Sequence, residues 1–238
     1  GGAAAPARPA GCAVIRIEPA GAEALLLVLA EQPDAELPQR IARLAERIAQ
    51  QLGPVLVDLV PAWTSLLVHY DLLRISHPQL VQQLTPLLEA WLAEAPQFAP
   101  TPLLELPIWY AGEDLAAVAA ACELSVSEVI ALHSGGEYRV GAIGFAPGFA
   151  YLSELDGRLA LTRRSTPRTH VPAGSLAIAE RQTAIYPQAS PGGWHLLGRC
   201  PWSLFDWQAA QPCRLALGDR VRFVAIDQHT YRAEGGGL

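Results

Sequence analysis

Three segments rich in glycine and proline constrain the second half of this chain more than any other feature. They read GFAPGFAYL at residues 144–152, TPRTHVPAGS at residues 166–175 and SPGGW at residues 190–194. Glycine permits positive φ angles and close backbone approach, whereas proline restricts φ. From residue 138 onward the pattern is therefore typical of short strands broken by tight turns, and it predicts a barrel or other closed β structure.

The same region is basic within an acidic chain. Residues 158–199 hold six arginines against one acid, Glu180, whereas the whole chain has a formal net charge of −6. Arginine holds planar anions through bidentate hydrogen bonds, so these residues predict a shaped groove that accepts anions. The acidic overall balance argues against nucleic acid as a partner.

The N-terminal part alternates short apolar runs with two amphipathic segments. The predicted strands are residues 14–17, 24–29, 55–60 and 65–70. A first helix would bury one face containing Ile41, Leu44, Ile48 and Leu52. A second would begin at Ser76, whose spacing from Gln79 is that of a capping box. The order β-β-α-β-β-α predicts a small α+β sandwich.

Prolines indicate where the two predicted domains meet. Four of them lie within residues 95–107, which we interpret as a semi-rigid linker. It separates an N-terminal α+β domain, residues 11–94, from a β-barrel domain, residues 108–238. Residues 1–10 are expected to form a disordered tail. The barrel domain would begin with two short helices, the second capped by Ser125. The expected fold class is therefore α+β.

Several classes of chemistry are excluded by composition. The chain has no lysine, so it cannot supply a Walker A lysine, a Schiff base or a biotinyl-lysine. Cys12, Cys122, Cys200 and Cys213 are far apart, and no histidine or carboxylate cluster has metal-binding spacing, so no metal site is expected. No apolar run approaches the roughly 18 residues that span a bilayer. We therefore expect a cytoplasmic protein that does not contact membranes.

Arg168 and Arg199 are candidate catalytic residues, because conformationally restricted neighbours could hold each guanidinium in place. An ordered guanidinium binds phosphate or carboxylate and stabilises charge in a transition state. The alternative is a solvated or interface arginine. His133 is a weaker candidate, since an imidazole at a predicted helix C-terminus also suits a capping role. We expect Arg168 and Arg199 to face one cleft together with residues 190–193 and to bind an anion there.

Aromatic side chains surround two of the turns. Phe145, Phe149 and Tyr151 would line either a groove or the core of the barrel, and the break at Pro147-Gly148 favours the groove. The backbone amides of residues 190–194 could form an anion-binding nest, although tight hairpins use the same residues. Trp194 could stack on a ligand ring or cover the barrel.

In order, the motifs GFAPGFAYL, TPRTHVPAGSLAIAERQTAIYP, SPGGWHLLGRCPWSLFD and LALGDRVRF resemble the PxpB/KipI family. This family is also called allophanate hydrolase subunit 1, and a related module occurs in the carboxyltransferase part of urea carboxylase. The chain departs from the family at Trp109, where cysteine is common, and at Cys200, where threonine is usual. The resemblance implies that the C-terminal domain is cyclophilin-like.

The resemblance also implies a function. It indicates the B-type subunit of an ATP-dependent 5-oxoprolinase that opens 5-oxoproline to glutamate with a PxpC-like large subunit and a PxpA-like subunit. ATP, with Mg, would bind at a site shared with a partner, and the isolated chain would be inactive. Arg168, Arg199 and His133 would be catalytic. The implied substrate- or nucleotide-binding groove consists of Phe145, Pro147, Gly148, Phe149, Tyr151, Pro172, Ala173, Gly174, Ser175, Gln182, Thr183, Tyr186, Ser190, Pro191, Gly192, Gly193 and Trp194.

Two other functions remain open at this point. The first is a KipI-like inhibitor that binds a sensor histidine kinase through the barrel groove. The second is a carboxyltransferase module acting on urea or a related amide, which would need a biotin carrier from another chain because this one has no lysine.

Overall fold

The computed structural model describes residues 15–94 and 102–237, and the chain divides into two compact units, residues 1–99 and 100–238. The predicted tail, residues 1–10, lies outside the described residues. Part of the predicted linker, residues 95–101, also lies outside them. Both units combine helices with largely antiparallel sheet, as the expected α+β class requires.

The first unit contains four strands and two long helices. In chain order they are β1 (Arg16–Pro19), β2 (Ala24–Val28), α1 (Leu37–Leu52), β3 (Leu56–Ala62), β4 (Ser65–Tyr70) and α2 (His77–Ala93). The strands pair antiparallel in the order β1-β2-β4-β3. The predicted α1 face is buried, and the Ser76–Gln79 capping box begins α2. Both local predictions are confirmed.

The second unit is built mostly from short strands. In chain order its elements are β5 (Leu103–Ile108), α3 (Leu115–Ala121), α4 (Val126–Gly135), β6 (Tyr138–Ile143), β7 (Ala150–Ser153), β8 (Arg168–Val171), β9 (Ser175–Ala179), β10 (Gln182–Ile185), β11 (Ser190–Gly192), β12 (His195–Arg199), β13 (Arg220–Ala225) and α5 (Gln228–Ala233). Within these residues no single helix has the length and hydropathy needed to cross a membrane. The pair α3 and α4 meets that criterion only when the two are counted together, with a bend of 95° between them.

The strands of the second unit follow the order β5-β13-β6-β7-β10-β9-β12, while β8 and β11 pair separately. β5 and β13 are parallel, and the other pairs are antiparallel. The two outermost strands in this order, β5 and β12, are also connected, because Trp109 and Arg199 exchange two backbone hydrogen bonds of 2.9 Å each. A residue following β5 is thus joined to the last residue of β12.

β5 corrects the predicted linker. The prolines within residues 95–107 predicted a semi-rigid linker there, yet residues 103–107 belong to a strand that pairs with β13 along its whole length. Leu106 and Ile108 are buried in the core of the second unit. Burial of these side chains and the ladder to β13 outweigh the hydrogen-bond donor that Pro107 lacks.

Candidate functional site

Five aromatic side chains from the predicted groove line one small cavity. Phe145, Phe149, Tyr151, Tyr186 and Trp194 surround about 80 Å³, and the lining is completed by Arg163, Pro191, Gly192 and Gly193. We call this space the aromatic cavity. The rings meet edge to face, with centroids 5.2 Å apart for Phe145 and Phe149 and 4.8 Å apart for Phe149 and Tyr151. Such contacts fix the shape of an apolar wall.

The aromatic side chains differ in exposure. Phe149 and Trp194 are 2% and 4% exposed, whereas Phe145 is 64% exposed. Phe149 and Trp194 belong to a small buried cluster with Val171 and Ala177 that is distinct from the main core of the unit. The cavity therefore has a rigid floor and an exposed aromatic rim.

Backbone geometry at the rim is unusual. Phe145 has φ +72°, a left-handed conformation that is costly for a residue with a side chain. Gly148 follows at φ +77°, and a Cβ there would lie 2.7 Å from the Cβ of Phe205. A Cβ on Gly192 would collide with the hydroxyl of Tyr186. These glycines allow loops to approach the cavity closely, and the strain at Phe145 is typical of functional segments.

A buried carboxylate holds two arginines beside this cavity. Asp114, 4% exposed, accepts hydrogen bonds from Arg164 Nη1 at 2.9 Å, Arg168 Nη2 at 2.7 Å and the Leu196 amide at 2.8 Å. Burial alone would raise the pKa of Asp114, but the hydrogen bonds from Arg168 and Leu196 and the two positive charges lower it below the ordinary carboxyl value. The ionised Asp114 thus connects the start of α3 to the loop before β8.

The structure does not bring Arg168 and Arg199 together as predicted. Arg168 is bound by Asp114 and, through Nε at 3.3 Å, by Glu113. Arg199 instead lines a separate cavity of about 340 Å³ that also includes Ala173 and Gly174. The expected convergence was wrong because a carboxylate distant in sequence binds Arg168. The arginine at the aromatic cavity is Arg163, whose Cζ lies 5.9 Å from the Trp194 ring centroid.

His133 is a core residue. It is 0% exposed, with Nδ1 2.8 Å from the Tyr110 hydroxyl and Nε2 2.9 Å from the hydroxyl of Thr183, which itself donates to the carbonyl of Ala177. Burial lowers the pKa of His133 to about 3, so the imidazole is neutral at physiological pH. This corrects its assignment as a catalytic candidate, because no part of the ring reaches solvent.

The remaining groove candidates are dispersed. Ser175 and Thr183 face the core, with 2% and 0% exposure. Pro147 and Gly148 form the turn between β6 and β7. The others lie in strands or adjoining loops: Pro172, Gln182 and Ser190 are half-buried.

Sequence reasoning missed Asp114, Arg163 and Arg164. Asp114 stands immediately before α3, where an aspartate commonly caps the helix, yet its side chain makes no cap hydrogen bond. The adjacent pair Arg163-Arg164 was counted only as part of the basic region. An acid before a helix together with a double arginine in the loop that ends at Pro167 is the signal that could have indicated this network.

Comparison with known proteins identifies the family. The model for "Carboxyltransferase domain, subdomain C and D" matches residues 15–215. The B-type subunit of 5-oxoprolinase from Bacillus subtilis strain 168 is 37% identical over 92% of this chain and 97% of its own length. The protein of the same name from Escherichia coli O157:H7 is 40% identical over 86% of this chain and 93% of its own length.

Solved structures agree with the sequence relatives. The crystal structure of TTHA0988 superposes with a TM-score of 0.76 at 38% identity over 90% of this chain, which spans 40% of that longer chain. Urea carboxylase of Kluyveromyces lactis gives a TM-score of 0.69 at 19% identity over 93% of this chain and 23% of its own, a likeness of fold alone. The resemblance predicted from the motifs is confirmed, and this chain belongs to the family of carboxyltransferase domains, subdomains C and D, that includes the B-type subunit of 5-oxoprolinase.

Proposed function

We propose that this chain is the B-type subunit of a 5-oxoprolinase, which opens 5-oxoproline to glutamate together with partner subunits. The observation that carries the proposal is the alignment with two proteins of that name over 97% and 93% of their own lengths. The partners we expect are a PxpC-like large subunit and a PxpA-like subunit.

The aromatic cavity supplies the chemistry that such a substrate requires. 5-Oxoproline is a five-membered lactam with one carboxylate, so its ring suits apolar walls and its charge suits a guanidinium. Phe149 and Trp194 offer the walls, and Arg163 offers the charge. Burial raises the pKa of Tyr186, so its hydroxyl stays protonated and can donate a hydrogen bond to the lactam oxygen.

Lactam opening needs activation because amide resonance makes the carbonyl a poor electrophile. Coupling to ATP, with Mg, would activate it through phosphorylation of the lactam oxygen. In this chain the phosphates would be bound by arginines and backbone amides, since there is no lysine. We propose that a partner subunit completes the site and that the isolated chain does not turn over substrate.

We also propose that the second unit is the cyclophilin-like barrel implied by the family motifs. The two hydrogen bonds between Trp109 and Arg199 support closure, since they connect the two ends of the strand order. We do not favour the carboxyltransferase alternative, because the likeness to urea carboxylase concerns the fold alone. No specific contact in the described residues favours the kinase-inhibitor alternative.

Reconstitution tests the proposed function. The chain is purified alone and together with its co-expressed large partner and PxpA-like subunit, and ATP hydrolysis and glutamate formation are measured with and without 5-oxoproline. We expect 5-oxoproline-dependent ATP hydrolysis and glutamate release only from the complex. Turnover by the isolated chain would refute the shared site, and an assembled complex that ignores 5-oxoproline would refute the function.

A further inference from the structure

A second, larger cavity adjoins the aromatic cavity. It encloses about 520 Å³, and its lining residues are Ala121, Leu161, Thr162, Arg163, Arg164, Ser165, Thr166 and His195. We call it the arginine cavity. Arg163 lines both cavities, so they share the side chain of this arginine. None of the other residues in this lining was among the groove residues predicted from the motifs.

The lining of the arginine cavity is rich in hydrogen-bond donors. Two guanidiniums and three hydroxyls contribute to it, and none of its described lining residues is acidic. Arg164 Nη1 donates a hydrogen bond to Asp114, while the buried Nε of Arg164 has no hydrogen-bond partner among the described residues. This Nε is closed to solvent and is not available to a ligand, whereas a lining of guanidiniums and hydroxyls without a carboxylate favours an anion.

The loop that carries these donors is fixed in place. The Arg164 amide donates to the carbonyl of Gly193 at 2.8 Å, and His195 Nε2 donates to the carbonyl of Thr162 at 2.9 Å. Asp114 forms an ion pair with the Arg164 guanidinium at 2.9 Å. The Arg164 guanidinium and the loop backbone at Thr162 and Arg164 are therefore arranged before any ligand arrives, which reduces the entropy lost on binding.

We propose that the arginine cavity is a phosphate-binding subsite. A carboxylate has two oxygens to share, whereas a terminal phosphate presents three and can use the hydroxyls of Ser165 and Thr166 as well as the guanidiniums. The volume leaves room for the remainder of a phosphate-bearing molecule. Phosphate binding in the arginine cavity does not depend on the proposed function. The further role of this cavity as the subsite for the phosphate donor, next to a lactam bound in the aromatic cavity, rests on the proposed function.

Calorimetric titration of the full chain tests this proposal without any turnover assay. Inorganic phosphate and pyrophosphate are the probes, and acetate at equal ionic strength is the carboxylate probe. Arg163→Gln removes one guanidinium from an exposed position, and Ser165→Asp places a negative charge in the cavity. Arg158→Gln is the matched control, because Arg158 is an exposed arginine paired with Asp156 and lines neither cavity.

We expect the wild type and Arg158→Gln to bind phosphate and pyrophosphate alike. Arg163→Gln should weaken both by about tenfold or more, the value of a charge-assisted hydrogen bond, and Ser165→Asp should abolish binding. Circular dichroism confirms that each variant is folded. Absence of saturable phosphate binding, equal affinity in Arg163→Gln, or equal binding of acetate would overturn the assignment. Phosphate binding to this chain, combined with a reconstituted complex that does not turn over 5-oxoproline, would refute the proposed function and leave this subsite standing.

Discussion

Replacement of Asp114 by asparagine should destabilise the second unit strongly. The side chain keeps its size but loses the charge that Arg164 and Arg168 share. Breaking a buried ion pair by removing one partner costs about 3–5 kcal/mol when the remaining charge stays buried. Here the Arg164 and Arg168 side chains are 35% and 17% exposed, so water offsets part of the loss. The asparagine oxygen also retains one hydrogen bond, and we expect a loss of about 2–3 kcal/mol.

Urea denaturation followed by circular dichroism measures this loss. The matched control is Asp156→Asn, because Asp156 pairs with Arg158 at the surface, where the Arg158 side chain is 63% exposed. An exposed pair of this kind contributes little to stability, so the control should unfold close to the wild type. Equal unfolding free energies for Asp114→Asn and Asp156→Asn would refute the reasoning.

The effect of pH provides a second check on Asp114. Its pKa is lowered in the folded chain, so the stability that it contributes is complete above the ordinary carboxyl pKa and is lost as pH falls through the folded value. The difference between wild type and Asp114→Asn should therefore be constant near neutrality and shrink in acid. A difference that does not change with pH would contradict an ionised Asp114.

Two further predictions concern the core and one turn. Burial lowers the pKa of His133 to about 3, so below about pH 6.5 only the unfolded chain takes up the proton. The stability of the wild type should therefore fall by up to about 1.4 kcal/mol per pH unit in that range. In urea denaturation His133→Gln should lack this pH dependence, and an unchanged dependence would contradict the account. Gly174 has φ +78°, and a Cβ there would lie 2.6 Å from the Cys200 carbonyl oxygen, so Gly174→Ala should lower the free energy of unfolding by more than about 1 kcal/mol. Gly144→Ala is the control, because a Cβ there has no neighbour within 4 Å, and it should lower the free energy of unfolding much less in the same denaturation experiment. Equal losses in the two variants would refute the steric argument.

Local features of the fold were predictable from sequence. The buried face of α1 follows from the spacing of Ile41, Leu44, Ile48 and Leu52, since residues that recur at helical intervals share one side. The capping box at Ser125 is likewise present, with Glu128 accepting from the Ser125 amide at 2.7 Å. Each of these features depends on residues within a few turns of one another.

The central network of the site was not predictable in the same way. Asp114 binds arginines 50 and 54 positions away, and no local pattern states which distant acid an arginine will meet. The strand β5 was missed for a related reason, because its pairing with β13 is also long-range. His133 was placed correctly near the end of a helix, but its burial depends on Phe223, which stacks on its ring at 4.7 Å.

The most direct test of the central claim is the KM for 5-oxoproline of the reconstituted complex carrying Phe145→Ala. Phe145 is 64% exposed at the rim of the aromatic cavity, and Trp207, 76% exposed, is a matched aromatic that does not line it. Burial of a phenylalanine side chain against a ligand contributes about 1.5–3 kcal/mol, so Phe145→Ala should raise KM roughly tenfold or more. Its melting temperature should fall only by the small amount that the lost ring contacts with Phe149 and Tyr186 represent. Trp207→Ala should leave KM unchanged. An unaltered KM in Phe145→Ala, or equal increases in both variants, would contradict the placement of the lactam in this cavity.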